Sequence, residues 1–175
     1  MRFVPTELEG AWVIEPQLHQ DERGLFARTY CAREFSQCGL MHTFVQCNTS
    51  WNARKGTVRG LHYQLAPSTE VKLVRCTAGA LLDVIVDLRP DSRTYLKHIA
   101  VNLTSSNRFA LYIPGMFAHG FQALEDGTEV FYQMSECYAP KLARGIRYND
   151  PKLGINWPLP VTSISDQDLS WTLLE

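Results

Sequence analysis

From about residue 43 onward the chain is a series of short runs rich in apolar and β-branched residues. Each run is closed by a turn signal, and they recur at intervals of about ten residues. The runs are read as Thr43 to Asn48, Val58 to Gln64, Val71 to Cys76, Ala80 to Leu88, His98 to Leu103, Phe109 to Ile113, Gly120 to Ala123 and Val130 to Met134. That rhythm leaves no room for the long helices a parallel α/β sheet needs between its strands. It predicts a mainly-β antiparallel sandwich or barrel of the jelly-roll kind. Only two helices fit. One is short, near Ala32 to Cys38, with Gly39 as its stop. The other lies in the tail, opened by Ser165 or Asp166.

Length and charge narrow the possible functions. The chain has 175 residues, enough for one domain (1–175) with an ordinary core but too few for a dinucleotide domain plus a substrate domain. Seventeen basic residues against eighteen acidic ones leave a net charge of −1, which argues against a globally basic nucleic-acid binder. No apolar run approaches membrane-spanning length, and no signal peptide is expected in MRFVPTELEG, so a cytoplasmic location is expected. The five cysteines are odd in number and form no C-x-x-C pair, a pattern of free thiols in a reducing compartment. G-x-G-x-x-G, G-x-x-x-x-G-K-[ST] and G-x-S-x-G are all absent, which removes the usual dinucleotide, P-loop and serine-hydrolase signatures.

The densest chemistry lies in KGTVRGLHYQ, Lys55 to Gln64. In a regular strand Gly60, His62 and Gln64 share one face, and Arg59 and Leu61 the other. A bulge at Gly60 breaks that parity and turns Arg59 towards His62. Lys72 shares a face with Val74 and Cys76, so its stem crosses apolar surface. His119, Tyr132 and Asp168 are the other candidates. Taken singly, each has an ordinary structural explanation: a satisfied core His, a core aromatic, a carboxylate at a helix start. A metal site on His62, His119 and Glu70 is disfavoured, because Gln64 occupies the place where a metal-binding cupin carries its second His. Metal-free proton chemistry fits better. A His base backed by a carboxylate removes a proton next to a ketone, a Lys stabilises the enolate oxygen, and a Tyr returns a proton on the other face.

In order along the chain, Asp21-Glu22-Arg23-Gly24-Leu25-Phe26, Gln46-Cys47-Asn48-Thr49-Ser50, KGTVRGLHYQ, Lys72-Leu73-Val74-Arg75, DVIVDLR from Asp83, IPGMFAHGF from Ile113, Tyr138-Ala139-Pro140, Asn149-Asp150-Pro151, Trp157-Pro158 and Ser165-Asp166-Gln167-Asp168 together resemble the dTDP-4-dehydrorhamnose 3,5-epimerase family. The resemblance implies a cupin-like jelly roll (double-stranded β-helix) that needs no cofactor. It implies inversion of C3, C5 or both in a dTDP-4-keto-6-deoxy-hexose. His62 matches the family's base, Asp168 its carboxylate partner, Tyr132 the acid and Lys72 the group near the enolate oxygen. Arg59 and His119 match residues near the sugar and diphosphate. Arg23, Phe26, Gln46 and Tyr138 match nucleotide-sugar contacts, with Asn48 and Arg28 beside them, and some of these come from the partner in a family homodimer. Neither nucleic acid nor membrane is an implied partner.

Two positions depart from the pattern. Arg28 stands where the family usually carries an acid, and Gln167 where it commonly has Lys. Arg23, Arg59, Lys72 and Arg28 are expected to converge on one anionic ligand. The competing readings are a ketoisomerase or single-site epimerase of the same fold on another nucleotide-linked keto sugar, and a non-catalytic nucleotide-sugar binding module.

Overall fold

The computed structural model describes residues 1–174. Two antiparallel sheets face each other. The first has six strands: β1 (Arg2–Pro5), β2 (Trp12–Glu15), β5 (Gln46–Asn52), β7 (Lys72–Ala78), β10 (Ala110–Ile113) and β12 (Thr128–Met134), in the order β1-β2-β10-β7-β12-β5. The second has five: β6 (Val58–Gln64), β8 (Ala80–Asp87), β9 (His98–Thr104), β11 (Phe117–Ala123) and β13 (Ala143–Gly145), in the order β13-β6-β11-β8-β9. Strands β3 (Leu18–Asp21) and β4 (Gly24–Ala27) form a separate two-stranded ribbon. The helices are α1 (Ala32–Gln37) and α2 (Asp166–Ser170). This is the expected cupin-like jelly roll.

Side-chain alternation decides what each sheet turns inward. Val74 and Cys76 of β7, Leu81 and Ile85 of β8, Leu111 and Ile113 of β10, Phe117 and Phe121 of β11, and Val130 of β12 fill the space between the sheets. Lys72, Tyr132, His119 and Asp83 share those inward faces by parity. The outer face of the six-stranded sheet, with Leu73, Ala110 and Tyr112, packs on Phe35 of α1. On the five-stranded sheet, Leu61, Val84, Val86 and Ala118 are covered by Ile146, Leu153, Ile155 and Trp157 from the C-terminal third. The five cysteines are free. Among the described residues, no helix is long and apolar enough to cross a membrane.

The helix readings hold. Gly39 adopts φ +70° just past α1, and the Ser165 side chain accepts a hydrogen bond from the Asp168 backbone N–H at the start of α2. Strand boundaries move most at two runs: the one read from Gly120 begins at Phe117, and the other is β5. The run read as Thr43 to Asn48 becomes β5 at Gln46 and continues through polar Asn48-Thr49-Ser50 to Asn52. There, pairing with β12 outweighs hydropathy. Strands β1 to β4 and β13 were not among the runs read from the sequence.

Candidate active site

Gly60 makes the site possible. Between the paired positions His62↔His119 and Arg59↔Phe121, β6 places two residues, Gly60 and Leu61, where β11 places one, Gly120. Gly60 has φ +108°, and a Cβ there would lie 2.6 Å from Gly120 Cα and 2.7 Å from the His119 carbonyl oxygen. Only glycine fits. The extra residue breaks parity as anticipated: Leu61 enters the outer core, while Arg59 and His62 both line the cavity between the sheets.

That cavity holds about 340 Å³, within the range of small-molecule sites. The five-stranded sheet contributes Arg59, His62, Gln64, His119 and Arg144. The six-stranded sheet contributes Asn48, Ser50, Tyr132 and Met134, with Lys72 and, just before it, Glu70. Tyr138, Gln167 and Trp171 complete the wall.

Two histidines of the five-stranded sheet are each paired with an aspartate, His62 with Asp168 of α2 and His119 with Asp83 of β8. His62 Nε2 lies 2.6 Å from Asp168 Oδ1, while Asp168 Oδ2 accepts the Gly60 N–H at 3.1 Å. Burial pushes the Asp168 carboxyl up, but bonding and charge from His62, with help from Gly60 and Ser165, hold it below its ordinary value. An ionised Asp168 accepts a hydrogen bond from Nε2–H and leaves Nδ1 as the unprotonated ring nitrogen. The second pair is deeper. His119 Nε2 lies 2.5 Å from Asp83 Oδ1, and both residues are buried. Burial pushes Asp83 up against the opposing pull of His119. The His119 ring stands edge-on to Tyr132, 6.2 Å between centroids. Burial is also the main cause of a strongly raised Tyr132 phenol, opposed by Ser50 and Arg59 and reinforced by Asp83. Tyr132 therefore keeps its proton throughout the physiological range.

Lys72 Nζ pairs with Glu70 Oε2. Arg59 donates to Asn52 Oδ1 at 2.8 Å and to the Trp51 carbonyl, and Arg144 to the Lys141 and Ala143 carbonyls. Among the described residues neither arginine has an acidic partner, so both cations are open to an anionic ligand. Gln46 Oε1 accepts the Tyr138 N–H at 3.0 Å, and Asn48 sits beside Gln46.

The structure thus brings His62, Asp168, Tyr132, Lys72, Arg59, His119, Gln46, Asn48 and Tyr138 together. It does not bring in Arg23, Phe26 or Arg28. Arg23 is exposed and bonded to Asp21, and Arg28 is tied to Glu34 at 2.8 Å. Phe26 is 73% exposed on the free ribbon. The expected convergence of four cations is therefore two within this chain, Arg59 and Lys72. Arg144 and Trp171 were missed. Arg144 sits on a three-residue strand with no readable pattern, whereas Trp171, an aromatic three residues past Asp168, was a signal that could have been used.

Comparison with known proteins agrees with this geometry. Residues 5–175 match the family model described as dTDP-4-dehydrorhamnose 3,5-epimerase. A protein of that name from Methanothermobacter thermautotrophicus is 44% identical over 173 residues, covering 97% of this chain and 92% of its own length. A dTDP-4-dehydrorhamnose 3,5-epimerase from Bacillus anthracis, solved with TDP and PPi bound, superposes with a TM-score of 0.96 at 39% identity, covering 99% of each chain. A dTDP-6-deoxy-D-glucose-3,5-epimerase from Legionella pneumophila, in complex with dTDP-4-keto-L-rhamnose, gives 0.92 at 36% identity, covering 98% of this chain and 92% of its own.

Proposed function

Because the chain belongs to the dTDP-4-dehydrorhamnose 3,5-epimerase family, we propose that its cavity epimerises a dTDP-linked 4-keto-6-deoxy sugar by proton transfer between opposite walls. The observation that carries this reading is His62 of one sheet, backed by Asp168 of α2, and the proton-bearing Tyr132 on the other sheet, across one cavity. His62 Nδ1 takes the proton from a carbon next to the keto group. The electrons of that C–H bond move into the ring to form an enolate, whose oxygen faces the Lys72 ammonium. Asp168 fixes the tautomer and stabilises the imidazolium. The Tyr132 O–H then delivers a proton to the opposite face of the same carbon, and solvent restores both groups. The product differs only in configuration.

Arg59, with His119 beside it, suits the diphosphate and sugar. Gln46, Asn48 and Tyr138 suit the nucleotide end, where the Tyr138 ring can stack on the base. Arg23, Phe26 and Arg28 serve the same ligand from the partner in a homodimer. In support, among the described residues the β3–β4 ribbon pairs with no other strand and leaves Leu18, Leu25 and Phe26 exposed. A lone two-stranded ribbon is marginal in water and gains from being covered. Light scattering is expected to report a dimer; a monomer at assay concentration would remove that role for the ribbon.

The reaction is tested with dTDP-4-keto-6-deoxy-glucose in D2O, followed by NMR. Deuterium is expected at C3, C5 or both, and His62→Ala is expected to stop the exchange. Absence of label at both carbons would refute the reading.

A further inference from the structure

Glu70 is the acidic group lining the cavity that the chemistry above leaves unused. It is 6% exposed and borders the cavity, with Oε2 on Lys72 Nζ. Its Oε1 is buried without a hydrogen-bond partner. A buried carboxylate satisfied on one oxygen only is costly, and neutral residues would avoid that cost. A native structure that keeps such a group calls for a reason.

The surroundings supply one. Glu70 is the only hydrogen-bond partner of the Lys72 ammonium among the described residues. The strand neighbours of Lys72 are uncharged Ile113 and Met134. Lysine carries its charge on a long flexible stem, so one partner decides where that charge sits. The backbone carrying Glu70 is itself held firmly. Ser68 Oγ and both Thr69 donors bond the Glu136 carboxylate at 2.7 to 2.8 Å, and the Val71 N–H donates to Ser135 Oγ at 2.8 Å. Gly115 permits the close approach, since a Cβ there would lie 2.9 Å from the Thr69 carbonyl oxygen. A rigid carboxylate therefore anchors a mobile ammonium.

We propose that Glu70 is a positioning residue: it holds the Lys72 ammonium on the six-stranded wall, where the enolate charge develops, and away from the diphosphate. This rests on the epimerase reading and on Lys72 facing the enolate. It has a kinetic signature. Glu70→Gln keeps the shape but removes one negative charge from a cavity that binds an anion. The substrate then binds at least as well, while the freed ammonium drifts from the reacting oxygen. An interaction specific to the transition state is lost, and ground-state binding is not.

The test compares kcat, KM and deuterium incorporation for wild type, Glu70→Gln, Lys72→Met and the double variant. The expected result is a tenfold or greater fall in kcat for Glu70→Gln with KM unchanged or lower, and a double variant no slower than Lys72→Met. Glu70→Asp retains the charge but withdraws it by one methylene. It gives the same split to a smaller extent, and it serves as the test if Glu70→Gln does not fold. A raised KM with unchanged kcat would make Glu70 a substrate contact, and additive losses in the double variant would detach it from Lys72. Either outcome overturns the proposal. Wild type that incorporates no deuterium defeats the epimerase reading instead, so the two failures are distinct.

Discussion

Asp168→Asn tests the His62–Asp168 pair more sharply than truncation, because the structure dictates how an amide must sit. One carboxylate oxygen accepts from His62 Nε2 at 2.6 Å and the other from the Gly60 N–H at 3.1 Å. An amide can satisfy Gly60 only with its oxygen, which turns its NH2 towards His62. Nε2 must then accept, and the ring proton moves to Nδ1, the nitrogen needed as the base. The reverse orientation sets the NH2 against the Gly60 N–H and forfeits a buried hydrogen bond, about 1–3 kcal/mol. That reduces the competent tautomer by roughly 5- to 160-fold, at about 1.4 kcal/mol per factor of ten. Loss of the carboxylate beside a forming imidazolium adds about 1.5–3 kcal/mol. The two together predict a fall in exchange rate of roughly 10²–10⁴, with the fold intact. The assay is deuterium incorporation next to the keto group, paired with ¹⁵N NMR of the His62 ring, which reports the tautomer directly. Exchange within about threefold of wild type, with Nε2 still protonated, would refute the reasoning.

Three other outcomes follow from the same geometry. Tyr132→Phe should cut net epimerisation by roughly 10²–10⁴ while leaving exchange on the His62 face; product formed at the wild-type rate would show that Tyr132 is not the acid. Gly60→Ala combines positive φ with a Cβ 2.6 Å from Gly120 Cα, and should destabilise by about 2–6 kcal/mol in denaturant titration; a change under about 0.5 kcal/mol would contradict the bulge. Burial raises the Asp87 carboxyl, but Arg89, Ser92 and Thr94 outweigh it and hold the folded-state pKa far below the ordinary value. Its stabilisation is therefore complete above about pH 4 and fades as pH falls towards that depressed value. Asp87→Asn should accordingly lower Tm at neutral pH, with a gap to wild type that narrows in acid; a constant gap would contradict the assignment.

How much was legible depends on what signal each element carries. Strands buried on both sides, such as Ala80–Asp87, announce themselves through β-branched residues. The ribbon at Leu18–Asp21 and Gly24–Ala27 is exposed almost throughout, so it shows no alternation for a pattern to reveal. The site was legible where residues share a strand. Arg59 and His62 follow from Gly60 once a bulge is allowed, and the inward aim of Lys72 follows from parity with Val74 and Cys76. Asp168 is 106 residues from His62, and no local rule links them. The family resemblance paired them; the tail that carries Asp168 is fastened by the Val58 N–H on the Ser163 carbonyl at 2.9 Å. Glu70 was weighed only as a metal ligand, because its pairing with Lys72 depends on side-chain reach.

The two walls divide the work by charge. The five-stranded side pairs His62 with Asp168 of α2 and His119 with Asp83 and, among the described residues, leaves Arg59 and Arg144 without acidic partners, so it suits the diphosphate and the first proton removal. Among the described residues lining the cavity, the six-stranded wall has one cation, Lys72, paired with Glu70, and it keeps Tyr132 protonated, which suits an oxygen that becomes negative and a carbon that needs a proton back. A cation free on that wall would compete with Arg59 for the diphosphate and pull the sugar out of register. On the proposed mechanism, arginines without acidic partners on one wall and a counterbalanced lysine on the other would orient the ligand before any bond changes. That is the condition under which proton removal on one face and return on the other act on the same carbon.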